Sequence, residues 1–451
     1  MASINAKAKH TFTETTHAGA PAARMTKVQA LRRSVMACML WESEFYESGQ
    51  TIADRIQALA MDVPVETLAQ IAIEAREDAK LRHAPLLLLV VLAKRGSGSA
   101  LVSTTIARVI QRADELSEFL ALYWSLNPKR GARNAPLSAQ VKKGLAQAFG
   151  KFDAYQIAKY DRAKEVRLRD VLFLSHAKPA NDDRVALYKK LVDNELEAPD
   201  TWEVALSGGA DKKETFERLL SDGKLGYLAL LRNLRNMEQA GVDRDLVNAA
   251  IRARKGADRV LPFRFTAAAR YAPSFERVLD EALLATINQA EPFVGKTTIL
   301  VDVSGSMDHR LSAKSDLTRM DAAATLAAIV PGDDVRVFTF SNSVVETPAR
   351  KGMAGVEAVI RSQPHGGTYL AQAVAGVEAR VPADRLIVIT DEQAGASRVP
   401  APKAGKAYMI NVASAKNGVG YGNGWIHIDG FSENFLRYIR EVEQMDLGLD
   451  V

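Results

Sequence analysis

Cysteine is almost absent. Cys38 is the single one in 451 residues, so no intrachain disulfide can form and a thiolate zinc site has no ligands. It lies in the apolar stretch Val35 to Trp41 and is expected as a packed thiol, with a reducing, cytoplasmic setting as the default. Long apolar runs are missing too. The longest, Ala84 to Ala93, is about half of the ~20 residues that a membrane-spanning helix requires. No HExxH pattern groups the histidines. No Gly-Lys-Ser/Thr follows the Gly-rich segment Asn417 to Gly424, which is therefore expected as a flexible rim loop and not a phosphate cradle. No charged-then-apolar leader opens the chain; residues 1–25 are small, polar and Ala/Thr-rich, as in a loosely ordered tail.

What is present describes an ordinary globular chain of two or three domains, 47% hydrophobic and 25% charged. The formal net charge of +5 is unevenly spread: residues 1–290 carry 43 Lys+Arg against 35 Asp+Glu, and residues 291–451 carry 16 against 19. Lys129 to Lys178 alone holds 12 basic and 4 acidic residues. Concentrated positive charge points to a polyanion, and most directly to nucleic acid. A solvated helix face is the plainer reading of the same charges.

From Thr26 to about Ala290 the apolar spacing predicts helix after helix, roughly 10 to 16 residues each, with Gly or Pro at many boundaries. This is the pattern of irregular, HEAT-like helical pairs. After Pro292 the period changes. Apolar, β-branched runs at Thr298 to Val303, Val335 to Phe340, Leu386 to Thr390, Ala407 to Val412 and Trp425 to Ile428 alternate with helical stretches, which predicts a mostly parallel sheet covered on both faces. The expected division is a tail at 1–25, a helical-repeat domain at 26–290 and an α/β domain at 291–451. Phe149, Phe152, Trp41, Trp124 and Trp202 are expected to pack on helical faces, whereas Tyr155 and Tyr160 can stack on unpaired bases.

Thr297 to Met307 (TTILVDVSGSM) carries the sharpest chemistry. A buried strand ends in Asp302, and Ser304 and Ser306 follow in a tight turn, placing three hard oxygen donors at the carboxyl end of the sheet. Thr368 after His365-Gly366-Gly367, and Asp391 directly after another apolar run, supply the remainder. Asp302, Ser304, Ser306, Thr368 and Asp391 resemble the metal-ion-dependent adhesion site of a von Willebrand factor A domain. Hydroxyls with one or two carboxylates suit Mg²⁺, or another hard divalent cation that keeps several waters. Asp308, Asp333 and Asp334 are the only further carboxylates near in sequence. They read as loop and cap residues, too few for a two-metal nuclease.

The order of helical array and metal-site domain resembles the Ro autoantigen family, whose helical part is called the TROVE domain. The stretches that carry the resemblance are LRRSVMACMLWESEFYESG at Leu31, LRHAPLLLLVVLA at Leu81, RLRDVLFLSHAKP at Arg167, LALLRNLRNM at Leu228 and the turn at Asp302. The resemblance implies a helical ring closed by the A-type domain, acting as a nonenzymatic RNA-binding protein in RNA quality control and stability. The outer surface is expected to take Y RNA-like small noncoding RNAs, and the central hole the 3′ ends of misfolded RNAs. A 3′ exoribonuclease is expected as an associated protein, and neither DNA nor a membrane is. Positions matching the family's RNA contacts are Lys159 and His176, and Arg162, Lys164, Arg167 and Arg169 complete the basic segment. One basic family position falls on Ala163, a departure flanked by Arg162 and Lys164. Arg232 and Arg235 can face RNA or pair with carboxylates. The alternative function is a Mg²⁺-dependent scaffold whose A-type domain captures an acidic residue of a protein partner.

Overall fold

The structure, a computed structural model, describes residues 14–127, 136–161, 164–286, 291–313 and 315–446. The chain forms two compact units. One comprises Met1–Arg55 with Gly226–Val451, and the other Ile56–Leu225. The units cut across the division expected from sequence, because the start and the end of the helical region gather with the α/β domain.

Among the described residues of 56–225 the regular elements are all helices, running through Val65–Glu77, His83–Arg95, Ala100–Val109, Ala113–Leu126, Ala139–Phe149, Ala154–Tyr160, Leu168–Ser175, Asp182–Asp193, Trp202–Ser207 and Lys212–Ser221. The helix starts follow the side chains: Ser138, Asp153, Asn181 and Asp211 each accept a first-turn amide. His83–Arg95 is buried along nearly its whole length, so the apolar run is the core of this unit. Helices Ala100–Val109 and Ala139–Phe149 approach closely at Gly144, where an added Cβ would lie 2.8 Å from Ile106 and 2.9 Å from the Ser103 carbonyl. Phe149 and Phe152 are buried as expected.

The other unit is built on a six-stranded sheet. Before it come two short paired strands, β1 (Glu14–Thr15) and β2 (Pro21–Ala22), and helix α1 (Lys27–Met36). The sheet strands are β3 (Phe293–Asp302), β4 (Gly332–Phe340), β5 (Val344–Thr347), β6 (Arg385–Thr390), β7 (Lys406–Asn411) and β8 (Ile426–Asp429), in the order β5-β4-β3-β6-β7-β8. All neighbours are parallel except β4 and β5. The five apolar runs found in the sequence are the five parallel strands, and β5 is the added antiparallel edge. β3 and β6 are central, and Ile299 to Val301 and Leu386 to Ile389 are almost completely buried. Such double-sided burial is why these strands read as unbroken apolar runs.

Helices on this unit join the sheet through paired polar groups. Thr266 Oγ1 lies 3.0 Å from Thr325 Oγ1, and Arg270 pairs with Asp321, tying helix Phe263–Tyr271 to helix Arg319–Ala328. The residues from 14 to 25 are not a loose tail. Thr16 Oγ1 donates to the Ala394 carbonyl at 2.8 Å, and the His17 amide donates to Gln393 Oε1 at 2.9 Å. Residues 1–13 lie outside the described part. Helix α1 ends at Met36, and Trp41 sits beyond it, 46% exposed with φ +73°, so it is not the packing residue that helical spacing suggested. The turn it makes is closed against Gly49, where a Cβ would come within 2.3 Å of the Trp41 carbonyl oxygen.

Candidate metal centre and nucleic-acid surface

β3 runs parallel to β6 with Val301 opposite Ile389, so the chain ends of both strands emerge side by side. Asp302 and Asp391 are carried there. Asp302 Oδ1 accepts the Ser304 amide at 2.9 Å, and Oδ2 accepts the Thr390 hydroxyl at 2.6 Å. Ser304 Oγ and Ser306 Oγ stand 3.4 Å apart. Asp391 Oδ1 accepts the Gln393 amide at 3.0 Å, and the Ser306 side chain also reaches this carboxylate. Four of the five expected donors therefore converge.

Thr368 reaches the same rim through its backbone. The Gly305 amide donates to the Gly366 carbonyl at 2.8 Å, and the Gly395 amide to the Thr368 carbonyl at 2.9 Å. Among the described residues no side-chain hydrogen bond joins Thr368 to the two carboxylates.

Both carboxyls of the cluster are held above their ordinary range. Burial, and then the charge of Asp391, push the Asp302 carboxyl up to about 7. Burial raises Asp391 as well, against the Ser306 hydrogen bond. Neither carboxylate is in an ion pair among the described residues. Two mutually repelling buried acids with hydroxyls between them fit a hard divalent ion, which would be held by Asp302, Ser304, Ser306 and Asp391. Among the described residues no group of three His, Cys, Asp or Glu is placed to hold a metal ion, so such an ion would rely on hydroxyl donors. Asp333 and Asp334 stand at the far end of the strand: Asp334 is in register with Lys296 and Phe340 with Asp302.

The N-terminal segment lies over this cluster. Ser414 donates its amide to Glu44 Oε2 at 2.9 Å, and Glu44 also pairs with Arg319. Ala313 donates its amide to Glu42 Oε2 at 2.9 Å, Lys416 to Glu47 Oε2 at 3.1 Å, and His309 Nε2 stands 3.0 Å from the Ser43 carbonyl. The cleft that reaches Ser306 and Asp391 is walled by Glu44, Phe45, Tyr46 and Glu47.

Behind Asp391 is a buried charge cluster. Arg33, completely buried on α1, pairs with Glu392 and donates to the carbonyls of Ala415 at 2.6 Å and Asn417 at 3.0 Å. His427 Nε2 lies 2.7 Å from Glu392 Oε1 and its Nδ1 3.5 Å from Asp429 Oδ2, and the Tyr421 ring stacks on it at 3.8 Å. Burial alone would lower the His427 pKa, but the charges of Glu392 and Asp429 outweigh it and hold the ring up to about 9. The Gly-rich segment expected as a flexible rim loop closes this cluster. Gly418 to Tyr421 are buried, and a Cβ at Gly418 would fall 1.8 Å from Glu392 Oε2. Its glycines provide clearance rather than mobility. The missed signal was Arg33 itself, a charge in a helix buried continuously from Leu31 to Met36. Cys38 is inert as expected, with burial pushing its thiol up to about 12.

On the all-helical unit, the basic segment is only partly free. Lys164 Nζ is 3.5 Å from Glu118, Arg167 is 3.6 Å from Asp161, and Arg169 reaches Asn194 Oδ1 at 3.5 Å. Arg162 lies outside the described residues, as do Lys129, Arg130 and Arg133. Lys159 has no carboxylate partner among the described residues; its Nζ is 5.7 Å from the Tyr155 ring centroid and 5.8 Å from that of Tyr160. The Arg112 guanidinium also lies over the Tyr160 ring, at 4.9 Å. His176 is exposed at the left-handed cap of helix Leu168–Ser175, φ +54°. On the other unit, Arg232 and Arg235 are exposed, and neither has a carboxylate partner among the described residues.

Comparison with known proteins assigns a class to both regions. Residues 192–291 match the TROVE domain, and residues 297–394 match the von Willebrand factor type A domain. The chain carries a TROVE domain followed by an A domain. It is similar to telomerase protein component 1 of Rattus norvegicus and of Mus musculus, 32% identical over 110 residues in each case. That similarity takes in 23% of this chain and 4% of either relative, so the chain spans a small part of their length. The fold is that of the crystal structure of the Deinococcus radiodurans RO (RSR) protein, with a TM-score of 0.58, 18% identity, and coverage of 93% of this chain and 100% of the other. The TROVE match takes in the later part of the helical region and the A-domain match the greater part of the expected α/β region. Among the described residues no helix is long and apolar enough to cross a membrane.

Proposed function

We propose that this TROVE and A-domain protein is a nonenzymatic RNA-binding protein of RNA quality control, taking Y RNA-like small noncoding RNAs and the 3′ ends of misfolded RNAs. The observation that carries this reading is Lys159, a cation with no carboxylate partner among the described residues, set near the rings of Tyr155 and Tyr160. Lysine and arginine on phosphates supply affinity with little sequence information, and aromatic rings take unpaired bases. Arg169 adds a further cation, while Lys164 and Arg167 are partly spent on Glu118 and Asp161. The A domain holds Mg²⁺ in this reading, through Asp302, Ser304, Ser306 and Asp391, with Thr368 on its rim. A cytoplasmic setting and an associated 3′ exoribonuclease belong to the same proposal.

Filter binding of a stem-loop RNA with a single-stranded 3′ tail, over a salt series, tests it. Lys159→Ala and Arg169→Ala together are expected to flatten the slope of log K against log salt by about 0.7 to 0.9 for each phosphate no longer neutralised. Unchanged affinity and slope would remove these residues from the interface, and no binding at low salt would remove the function. The donor cluster supports a second reading, a Mg²⁺-dependent protein scaffold. Asp302→Ala would then abolish capture of an acidic protein partner while RNA binding persists.

A further inference from the structure

The metal centre as described takes all its donors from the A domain, yet its open side is not bare. Tyr46, more than 250 positions before Ser306, lies on the cleft leading to Ser306 and Asp391. Its hydroxyl interacts with the Ser306 side chain, and it is close enough to Asp391 and Asp302 to feel both charges. The ring is held rigidly. His17 stacks on it with centroids 4.7 Å apart and planes 3° from parallel, and Phe45 meets it edge-on at 4.8 Å. His17 is itself fixed by its amide on Gln393, two residues after Asp391. Glu42, Glu44 and Glu47 anchor the same loop to three A-domain amides.

A phenol clamped by two neighbouring rings, with its oxygen directed to a cluster of two buried acids and two hydroxyls, has a chemical use. A hydrated divalent cation keeps several waters, which need acceptors and donors beyond the ligands themselves. Tyrosine can both donate and accept. We propose that Tyr46 is a further member of the cation site, a positioning residue that hydrogen-bonds the hydration shell of the ion from the open side. The inference rests on the metal reading of Asp302, Ser304, Ser306 and Asp391. It makes the site a joint product of the N-terminal segment and the A domain.

The experiment is a titration of the full chain with Mn²⁺, following the free ion by its electron paramagnetic resonance signal. Tyr46→Phe keeps the stacked ring and removes only the oxygen; Tyr46→Ala removes both. If the oxygen matters, the two variants lose affinity alike, by about tenfold or more. If Tyr46→Phe binds Mn²⁺ within about twofold of the unmodified chain, well short of the tenfold that a supporting hydrogen bond is worth, the proposal is overturned. Weakening in Tyr46→Ala alone then assigns the ring to packing. Asp302→Ala separates the two layers of the argument. Saturable binding that Asp302→Ala abolishes and Tyr46→Phe leaves intact sinks only the role of Tyr46. No saturable binding in the unmodified chain sinks the metal reading and Tyr46 with it.

Discussion

Replacing Arg33 by methionine is the sharpest probe of how the A-domain unit is held together. The side chain is completely buried and serves Glu392 and the carbonyls of Ala415 and Asn417. Methionine fills a similar length but leaves Glu392 and Asp429 buried with His427 as the one nearby cation. Removing one partner of a buried pair typically costs about 3 to 5 kcal/mol, because the stranded charge has lost both water and its partner. Arg33→Met is therefore expected to destabilise this unit by about 3 kcal/mol or more, since His427 offsets part of the stranded charge. Hydrogen exchange of amides in β6 and β7, read on the full chain under native conditions, gives the opening free energy of the unit. Glu392→Gln added to Arg33→Met removes the stranded charge, so the double variant should recover about 1 to 3 kcal/mol relative to the sum of the singles. A cost below about 1 kcal/mol for Arg33→Met, or strictly additive losses, would refute the account of the cluster as a coupled ionic unit.

Three further outcomes follow from the same cluster and from the helical unit. His427 is held protonated up to about 9, above its ordinary value near 6.5. Its stabilisation is thus fully present below about pH 6.5 and is lost as pH rises through about 9, worth on the order of 3 kcal/mol. The gap in melting temperature between the unmodified chain and His427→Gln should close between about pH 7 and pH 10; a gap constant with pH would argue against a charged ring. Gly418→Ala should cost about 1 to 3 kcal/mol by overpacking against Glu392 and Arg33, measured by chemical denaturation, whereas a flexible loop would accept alanine without loss. Gly144→Ala should destabilise the all-helical unit by a comparable ~1 to 3 kcal/mol through its approach to Ile106 and the Ser103 carbonyl, and unchanged helical melting by circular dichroism would contradict that close packing.

Much of the architecture was legible because local pattern and tertiary role coincide. β3 and β6 are buried on both faces, so their sequences had to be apolar and β-branched, and the donors had to follow directly where the strands end. Ser138, Asp153 and Asn181 cap their helices through local hydrogen bonds, yet helical spacing alone marked none of these three starts. What escaped was whatever depends on distant partners. The order of residues 14–25 depends on distant partners such as Gln393 and Ala394, and nothing near Thr16 announces either. Trp41 obeys helical spacing, yet the chain turns at Ala37 and carries it out of the helix. Gly418 and Gly420 resemble a flexible loop in sequence because steric clearance and mobility require the same residue. The basic window overstated the free charge, since Lys164 and Arg167 meet Glu118 and Asp161.

The pairing of Arg33 with Glu392 spans 359 positions. A ribosome adding about 5 to 20 residues per second needs roughly 20 to 70 s to deliver the second partner after the first. Throughout that interval helix α1 carries a guanidinium destined for the interior, with its carboxylate partner not yet made. The A-domain unit can mature only after Glu392 has been made, so helix α1 waits for its partner through the synthesis of everything between them. Production of the A domain from residue 291 onward would strip Glu392 of that same partner, so the excised fragment is expected to be less stable than its own sheet would suggest.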